Sequence, residues 1–320
     1  FNSADSTSNV TGVLLAYSMH PTCVGPETKE SADYPGAVRK FLESSIKGSP
    51  PCMYLNGCCG DVNSVRHRSG YKGAEEVGAR LGEKVLGAVK DLLAVDAASS
   101  GFAPVRCKVT SCTVPLEKLG SYEDCKAFEQ QQGEWLESAK ICAEDVAAGP
   151  EKEAMTMAPS ACCQYAAELV RRAEKQEGAS SMDFEIVCVT IGNPENGLCF
   201  VGFPGEMFSE YQLKLQNFSP YPRTISIGYA NGCHGYFPTA SEIPFGGYEV
   251  CNAFRVYGAF QNISSAAEGA ILNGIRATLE SMVGMQAKRF NSHFKDSHDT
   301  YNGLGTASNG DIFYVLSSVR

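Results

Sequence analysis

Three side chains that can bind a metal ion stand where predicted strands end. His20 follows the apolar run 13–17 and precedes Pro21, which cannot continue a strand ladder. Glu206 follows the predicted strand 198–203 and a Pro-Gly turn, and Tyr236 lies in a glycine-rich stretch after the predicted strand 224–228. Zinc accepts imidazole nitrogen, carboxylate oxygen and ionised phenol oxygen. Because α/β folds keep their chemistry at strand ends, these side chains are candidates for chemistry, but their types and positions alone do not define a metal site.

Each of the three residues also has a purely structural interpretation. A histidine at a strand end is more often held by hydrogen bonds than bound to a metal ion. A glutamate after a tight turn is favoured in the first turn of a helix by the helix dipole, and a tyrosine is commonly a buried aromatic side chain. Taken singly, the three residues do not decide between a metal site and packing.

Short motifs in the surrounding sequence carry more information than the single residues. After His-Pro-Thr at 20–22 they read Ser-Ala-Asp-Tyr-Pro-Gly at 31–36, Asn-Gly-Cys-Cys-Gly-Asp-Val-Asn at 56–63, Pro-Gly-Glu at 204–206, Gly-Tyr-Ala-Asn at 228–231 with Gly-Tyr at 235–236, and Gly-Tyr-Glu at 247–249. This succession resembles the catalytic domain of the neutral, non-lysosomal ceramidase family, and especially its bacterial ceramidase-like relatives. The resemblance extends over roughly residues 10–284.

The resemblance implies a zinc-dependent amide hydrolase. In that family zinc is held by two histidines, a glutamate and a tyrosine, and a zinc-bound water attacks an amide carbonyl. His20, Glu206 and Tyr236 match three of these ligands. Tyr248 matches the family tyrosine that hydrogen-bonds the substrate carbonyl as it becomes an oxyanion, and Asn63 stands where the true ceramidases carry a serine. We therefore expect Tyr248 and Asn63 to be catalytic, and an N-acyl compound, sphingolipids included, to be the substrate.

One family ligand has no equivalent in this sequence. The first zinc histidine of the family lies well upstream of the His-Pro-Thr motif, in a His-Ser-Gly-like segment that is not found here. Of the other histidines, His67, His234, His293 and His298, the nearest candidate is His234, because it precedes Tyr236. We expect an upstream fragment or a partner chain to complete the domain.

The predicted elements form an α/β domain with a mixed sheet flanked by helices. Apolar runs predict strands at 13–17, 52–55, 105–114, 184–191, 198–203 and 224–228, and helical periodicity marks 35–42, 74–93 and 264–282. The charged, Gln-rich stretch at about 122–177 predicts a helical insertion. The domain would thus span 1–284, followed by a polar tail at 285–320.

Composition excludes some partners and indicates a compartment. A formal net charge of -9 argues against nucleic acid, which is bound by clustered Lys and Arg. No apolar run reaches the roughly 18 residues that a membrane span needs. Fourteen cysteines, an even number, predict several disulfides in an oxidising compartment. Sequons at Asn9, Asn217 and Asn262 predict N-linked glycans, so we expect a secreted, extracellular glycoprotein.

Two functions of different kinds agree with these observations. The first is the zinc-dependent hydrolase, which depends on His20, Glu206 and Tyr236. The second is a non-catalytic extracellular protein, a structural homo-oligomer or filament subunit built on a degenerate ceramidase-like fold, since a fold does not by itself decide function. The missing histidine, the dense cysteines and the sequons favour this second interpretation, and the sequence leaves the choice open.

Overall fold

The computed structural model describes residues 10–25, 29–94, 103–146, 148–283, 305–306 and 312–315. The chain divides into two compact units. Unit 1 takes its residues from Phe1–Cys112, Phe184–Thr239 and Leu272–Arg320, and unit 2 takes its residues from Thr113–Asp183 and Ala240–Ile271. Each is described separately below.

Strands and helices alternate through most of the described chain. The strands are β1 (Val13–Tyr17), β2 (Cys52–Asn56), β3 (Val105–Pro115), β4 (Ser181–Ile191), β5 (Leu198–Gly202), β6 (Glu206–Met207), β7 (Arg223–Ile227), β8 (Tyr236–Phe237), β9 (Gly305–Thr306) and β10 (Ile312–Val315). The helices are α1 (Asp33–Ser45), α2 (Gly70–Ala94), α3 (Tyr122–Ala143), α4 (Pro150–Lys175), α5 (Glu210–Phe218), α6 (Tyr248–Cys251), α7 (Ala253–Val256) and α8 (Ala267–Val283), with a short 3-10 helix at Ile243–Phe245.

The first sheet of unit 1 has the strand order β2-β1-β10-β9. β1 and β2 are parallel, and Tyr17 is paired with Asn56 at their carboxyl ends. β10 pairs antiparallel with β1 on its other side. Because the parallel strands end together, the loops that follow them, with His20 and the 56–63 motif, leave the same edge of the sheet.

Helices α1 and α2 cover one face of this sheet. Apolar side chains of β1 and of the two helices share a buried cluster, which includes Leu15, Val38, Leu42, Leu81 and Val85. These positions recur at the helical spacing that places apolar residues on one face. Burial of this apolar helix face against the sheet stabilises the layer. The apolar periodicity of 74–93 predicted that α2 would pack in this way.

The second sheet has the strand order β3-β4-β5-β7, and β3 and β4 continue into unit 2. β4 and β5 form an antiparallel hairpin, whereas β5 and β7 are parallel, with Gly202 paired to Ile227. A separate two-stranded parallel ladder joins β6 to β8. The carboxyl ends of β5 and β7 lead into the Pro-Gly-Glu motif and the Gly-Tyr-Ala-Asn motif, whereas β6 and β8 begin at Glu206 and Tyr236 themselves.

Unit 2 is mainly a pair of long helices. Ser121 caps α3 by accepting a hydrogen bond from the Asp124 backbone N–H at 3.1 Å. A buried cluster that includes Cys125, Leu169 and Val170 packs α3 against α4. Tyr165 of α4 stacks on Phe260 with ring centroids 5.1 Å apart, and its hydroxyl donates to the Ala259 carbonyl at 2.7 Å.

The predicted fold class is confirmed, since a mixed sheet is flanked by helices. The predicted domain boundaries at 1–284 and 285–320 stay a prediction. Unit 2 contains the predicted helical insertion but also residues from Ala240–Ile271. The stretch predicted as a polar tail contributes β9 and β10, which extend the first sheet. Among the described helices, none is both long and apolar enough to cross a membrane.

The prediction of several disulfides is wrong for this structure. All fourteen cysteines fall within the described residues, and all are free thiols. The adjacent residues Cys58 and Cys59 show the physical reason, because their thiols contact different side chains. The Cys58 thiol donates to Ser226 Oγ at 3.1 Å, whereas Cys59 Sγ lies 3.5 Å from Tyr229 Oη. Cysteine pairing therefore gives no support to an oxidising compartment.

Candidate metal site

His20 is fixed by the loop that leaves β2. It lies three residues after β1, and its backbone N–H donates to the Val62 carbonyl at 2.9 Å. The ring Nδ1 lies 3.2 Å from the same oxygen. Because a carbonyl oxygen can only accept, Nδ1 carries the proton and Nε2 points the other way. A hydrogen bond of this kind is what orients a metal-binding histidine.

Glu206 and Tyr236 are neighbours across the β6–β8 ladder. Their Cα atoms form one of its two pairs, and the Glu206 backbone N–H donates to the Gly235 carbonyl at 2.9 Å. Glu206 is only 3% exposed. Sequence reasoning placed these residues in a turn and a loop, because a two-residue strand is too short to show alternation.

The three predicted metal ligands come together in unit 1. His20 Nε2 lies 2.5 Å from Glu206 Oε2 and 3.2 Å from Tyr236 Oη. His20 is 7% exposed, so little water screens the contact. Because Nδ1 donates its proton to the Val62 carbonyl, Nε2 meets the carboxylate with either a lone pair or a second proton. Since a lone pair facing a carboxylate is repulsive, a proton or a metal ion must lie between the two atoms.

The donor types of this cluster are ones that zinc accepts in proteins. It offers one imidazole nitrogen, one carboxylate oxygen and one phenol oxygen, and the Nδ1 hydrogen bond of His20 already orients the ring. Across the described ranges, no group of three or more His, Cys, Asp or Glu side chains could hold a metal ion. The third donor beside His20 and Glu206 is instead the phenol of Tyr236.

The 56–63 motif brings backbone close to Glu206. The Gly60 N–H donates to the Met207 carbonyl at 2.8 Å. A Cβ atom at Gly60 would lie 2.6 Å from the Glu206 carbonyl oxygen, a distance that real Cβ atoms do not reach. Asp61 anchors the same loop to α5, because its carboxylate accepts from the Ser209 backbone N–H at 2.6 Å and from the Ser209 hydroxyl at 2.8 Å.

Three further residues near Glu206 were missed by sequence reasoning. The side chain of Asn56 contacts Cys59 Sγ at 3.3 Å, and Tyr229 Oη lies 3.5 Å from the same sulfur. Cys59 is fully buried, and burial raises the pKa of its thiol to about 11. The only signal in the sequence was their membership of the Asn-Gly-Cys-Cys and Gly-Tyr-Ala-Asn motifs.

The two predicted catalytic residues lie in different units. Asn63, in unit 1, is exposed, and its Oδ1 accepts a weak hydrogen bond from Thr22 Oγ1 at 3.4 Å. The Thr22 hydroxyl also lies 3.0 Å from His67 Nδ1, so a polar cluster stands two residues beyond His20. Tyr248, in unit 2, is the first residue of α6 and is half-exposed. Both catalytic assignments stay predictions.

The remaining predicted residues have less specific surroundings. His234 is exposed, and its backbone N–H donates to the Pro204 carbonyl at 2.7 Å. Asn217 is exposed on α5, whereas Asn262 Nδ2, the atom that would carry a glycan, donates to the Val250 carbonyl at 2.5 Å. Asn9 lies outside the described residues. The geometry therefore favours Asn217 over Asn262 as a glycan site, and glycosylation stays a prediction.

Fold and site together define a mixed α/β protein with a His-Glu-Tyr cluster formed by the loop after β1 and the first residues of β6 and β8. No protein-family model and no curated protein matches the sequence. Among solved structures, neutral ceramidase from Pseudomonas aeruginosa matches with a TM-score of 0.51 at 15% identity, over 88% of this chain and 46% of that one. A structure described as ceramidase complexed with C2 matches with a TM-score of 0.51 at 14% identity, over 88% of this chain and 47% of that one.

The fold is therefore ceramidase-like, as the motifs indicated. At this level of identity the likeness concerns the fold alone. The chain spans about half the length of the ceramidases it matches.

Proposed function

We propose that the protein is a zinc-dependent hydrolase that cleaves the amide bond of an N-acyl substrate. The observation that supports this proposal most is the convergence of His20, Glu206 and Tyr236, with the histidine ring oriented by Val62. A packing role for the three residues would not require a buried imidazole to face a buried carboxylate at 2.5 Å.

His20, Glu206 and Tyr236 would hold the zinc ion. When bound, zinc supplies Lewis acidity and lowers the pKa of a bound water toward neutrality. Three protein donors are the number that catalytic zinc sites use, since a further position then stays open for water or substrate. The hydrogen bond to the Val62 carbonyl fixes the tautomer of His20. Backbone pairing of Glu206 with Tyr236 keeps the Glu206 carboxylate next to the His20 ring.

The polar cluster beyond His20 gives a place for the reacting amide. Asn63, Thr22 and His67 offer hydrogen-bond donors and acceptors at an exposed position of the same loops. We assign them to substrate binding. The two matched structures are ceramidases, so amides of sphingoid bases are the substrate class to test first.

Location and partners belong to the same proposal. A secreted glycoprotein is supported by the sequons alone, of which Asn217 is on an exposed helix face. An upstream fragment or partner chain that completes the domain is supported by the half-length match to the ceramidases. Mass spectrometry of the protein from its source would detect both the glycan and any further fragment.

The experiment that tests the reaction is hydrolysis of a fluorogenic N-acyl sphingoid amide with added zinc. Glu206→Gln removes the negative donor with little change of volume and should lower kcat/KM at least about a thousandfold, the scale of losing a principal transition-state interaction. The control is Glu83→Gln on the exposed face of α2, which should leave the rate unchanged. Equal rates for wild type and Glu206→Gln would refute the proposal.

One observation favours the non-catalytic alternative. The direct contact between His20 and Glu206 satisfies both side chains without a metal ion if a second proton sits on Nε2. A structural subunit could retain this pair only for stability. In that case the wild-type protein would hydrolyse no amide, and analytical ultracentrifugation would show assembly that grows with protein concentration.

A further inference from the structure

One motif of the sequence has no part in the proposed site. The stretch Ser-Ala-Asp-Tyr-Pro-Gly at 31–36 spans the start of α1, and its tyrosine, Tyr34, is fully buried. A buried tyrosine usually finds a hydrogen-bond partner for its hydroxyl. The Tyr34 hydroxyl donates to the carbonyl of Met19, the residue directly before His20, at 2.6 Å. The motif at 31–36 therefore contacts the chain segment that carries the histidine of the candidate metal site.

The start of α1 also holds the chain on the other side of His20. The Asp33 carboxylate accepts a hydrogen bond from the Val24 backbone N–H at 2.7 Å through Oδ2. Its Oδ1 accepts from the backbone N–H of Tyr34 at 2.6 Å. Asp33 is buried, so water competes little for these hydrogen bonds. The segment 19–24 is thus fastened to α1 at both ends.

The peptide group between Met19 and His20 is held at both of its polar atoms. Its carbonyl oxygen accepts from the Tyr34 hydroxyl, and its N–H donates to the Val62 carbonyl at 2.9 Å. The Asn56 amide adds a second donor to the same Met19 oxygen, at 3.2 Å, when its Nδ2 is turned that way. Since Val62 also accepts from Nδ1 of the His20 ring, the orientation of this peptide group determines where the imidazole lies.

Proton counting fixes the direction of the Tyr34 hydrogen bond. The hydroxyl oxygens of Tyr34 and Tyr54 lie 2.6 Å apart, and the Tyr54 hydroxyl lies 3.1 Å from the Tyr17 carbonyl oxygen. Two phenol protons therefore serve three contacts, and two oxygen atoms at 2.6 Å repel each other without a proton between them. Tyr54 thus donates to Tyr34, and Tyr34 donates to Met19.

We propose that Tyr34 is a positioning residue, which fixes the peptide group before His20 and thereby the direction of the imidazole ring toward the other two metal ligands. The proposal rests on the proposed function, since it concerns the histidine of the same metal site. Tyr34 does not bind the metal ion itself. Its hydroxyl acts one step behind the ligand, as do the hydrogen-bond partners that orient metal ligands in other proteins.

The test is the zinc affinity of Tyr34→Phe, measured by competition with a chromophoric chelator. The variant keeps the buried ring and removes only the hydroxyl. Tyr54 can then donate to the Tyr17 carbonyl, so its proton keeps an acceptor. We expect the dissociation constant for zinc to rise roughly tenfold, the lower end of the loss found for outer partners of metal ligands.

The matched control is Tyr165→Phe in unit 2. It also removes a hydrogen bond from a phenol to a backbone carbonyl, here that of Ala259 at 2.7 Å. The three metal ligands lie in unit 1, so this variant should bind zinc as the wild type does. A dissociation constant for Tyr34→Phe equal to that of the control overturns the proposal.

A second measurement separates this proposal from the proposed function. In zinc-free protein, hydrogen exchange followed by NMR reports the His20 backbone N–H, which donates to Val62. Tyr34→Phe should speed this exchange about tenfold relative to the Leu81 amide in α2, the scale of one lost hydrogen bond. A general loss of stability would speed both amides equally, and that outcome overturns the positioning role. If the wild type binds no zinc, the proposed function fails, and the exchange of His20 still decides the role of Tyr34.

Discussion

The two units differ in where they keep their polar side chains. Among the described residues, every buried polar or charged side chain except Glu268 belongs to unit 1: His20, Asp33, Ser64, Thr190, Glu206, Thr224, Ser226, Thr239 and Thr278. Both units carry ion pairs on the outside of their helices, such as Arg39 with Glu43 in unit 1 and Lys126 with Glu129 or Arg171 with Glu168 in unit 2. Burying a polar group is costly unless it is paired, whereas exposed ion pairs contribute little.

The difference in buried polar side chains indicates which unit carries the chemistry. The buried polar groups of unit 1 include His20 and Glu206, which form the candidate metal site. Unit 2 obtains its order from apolar packing and helix capping. We infer that the chemistry of the protein belongs to unit 1, and the following predictions test that contrast.

The largest loss of stability should come from breaking the buried contact between His20 and Glu206. His20→Ala leaves the Glu206 carboxylate buried without its partner, which costs about 3–5 kcal/mol of unfolding free energy. Urea denaturation of zinc-free protein would measure the loss. The double variant His20→Ala with Glu206→Leu should recover most of it, because the uncompensated charge is gone. A loss below about 1 kcal/mol for His20→Ala, as at an exposed site, would contradict the contrast between the units.

A smaller loss of unfolding free energy should follow from alkaline pH, through buried thiols of unit 1. Burial raises the pKa of Cys52 to about 11 and that of Cys58 to about 12 from the ordinary value of 9.0. A raised folded pKa contributes stability that is complete below pH 9 and is lost as pH rises through the folded value. Between pH 7.5 and 9.5 the two thiols should remove about 1–2 kcal/mol.

The matched control for the alkaline effect is a pair of substitutions. Urea denaturation of Cys52→Ala with Cys58→Ala should show a flatter dependence on pH than the wild type. If the two thiols were joined in disulfides, the wild-type curve would already be flat over this range. That outcome would also reinstate the disulfides that the sequence predicted.

The smallest effect should come from the ion pairs of unit 2. Hydrogen bonds from Arg171 and Arg172 lower the pKa of Glu168 to about 2. The stability that Glu168 contributes is therefore present above pH 4.5 and is lost as pH falls toward 2. Because the group is exposed, Glu168→Gln should leave the thermal midpoint at pH 7 nearly unchanged. A large drop at pH 7 would show that unit 2 also depends on its polar groups.

The sequence predicted single strands and helices better than contacts between segments that lie far apart in the chain. The run 13–17 is β1, and the predicted helix 74–93 lies within α2, because each has a periodicity that a single segment displays. The pairing of Glu206 with Tyr236 came only from the family resemblance, since strands of two residues have no pattern. Tyr229 and Cys59 were missed because their contact joins segments that lie far apart in sequence. The disulfides were mispredicted because an even count says nothing about the direction of each thiol.

The measurement that tests the central claim most directly is zinc stoichiometry by elemental analysis, after saturation with zinc and removal of unbound metal. The wild type should retain about one zinc ion per chain, as a single three-donor site requires. Glu206→Ala should lose it, and Glu83→Ala, on the exposed face of α2, should keep it. No zinc in the wild type, or equal zinc in Glu206→Ala, would contradict a metal site at His20, Glu206 and Tyr236.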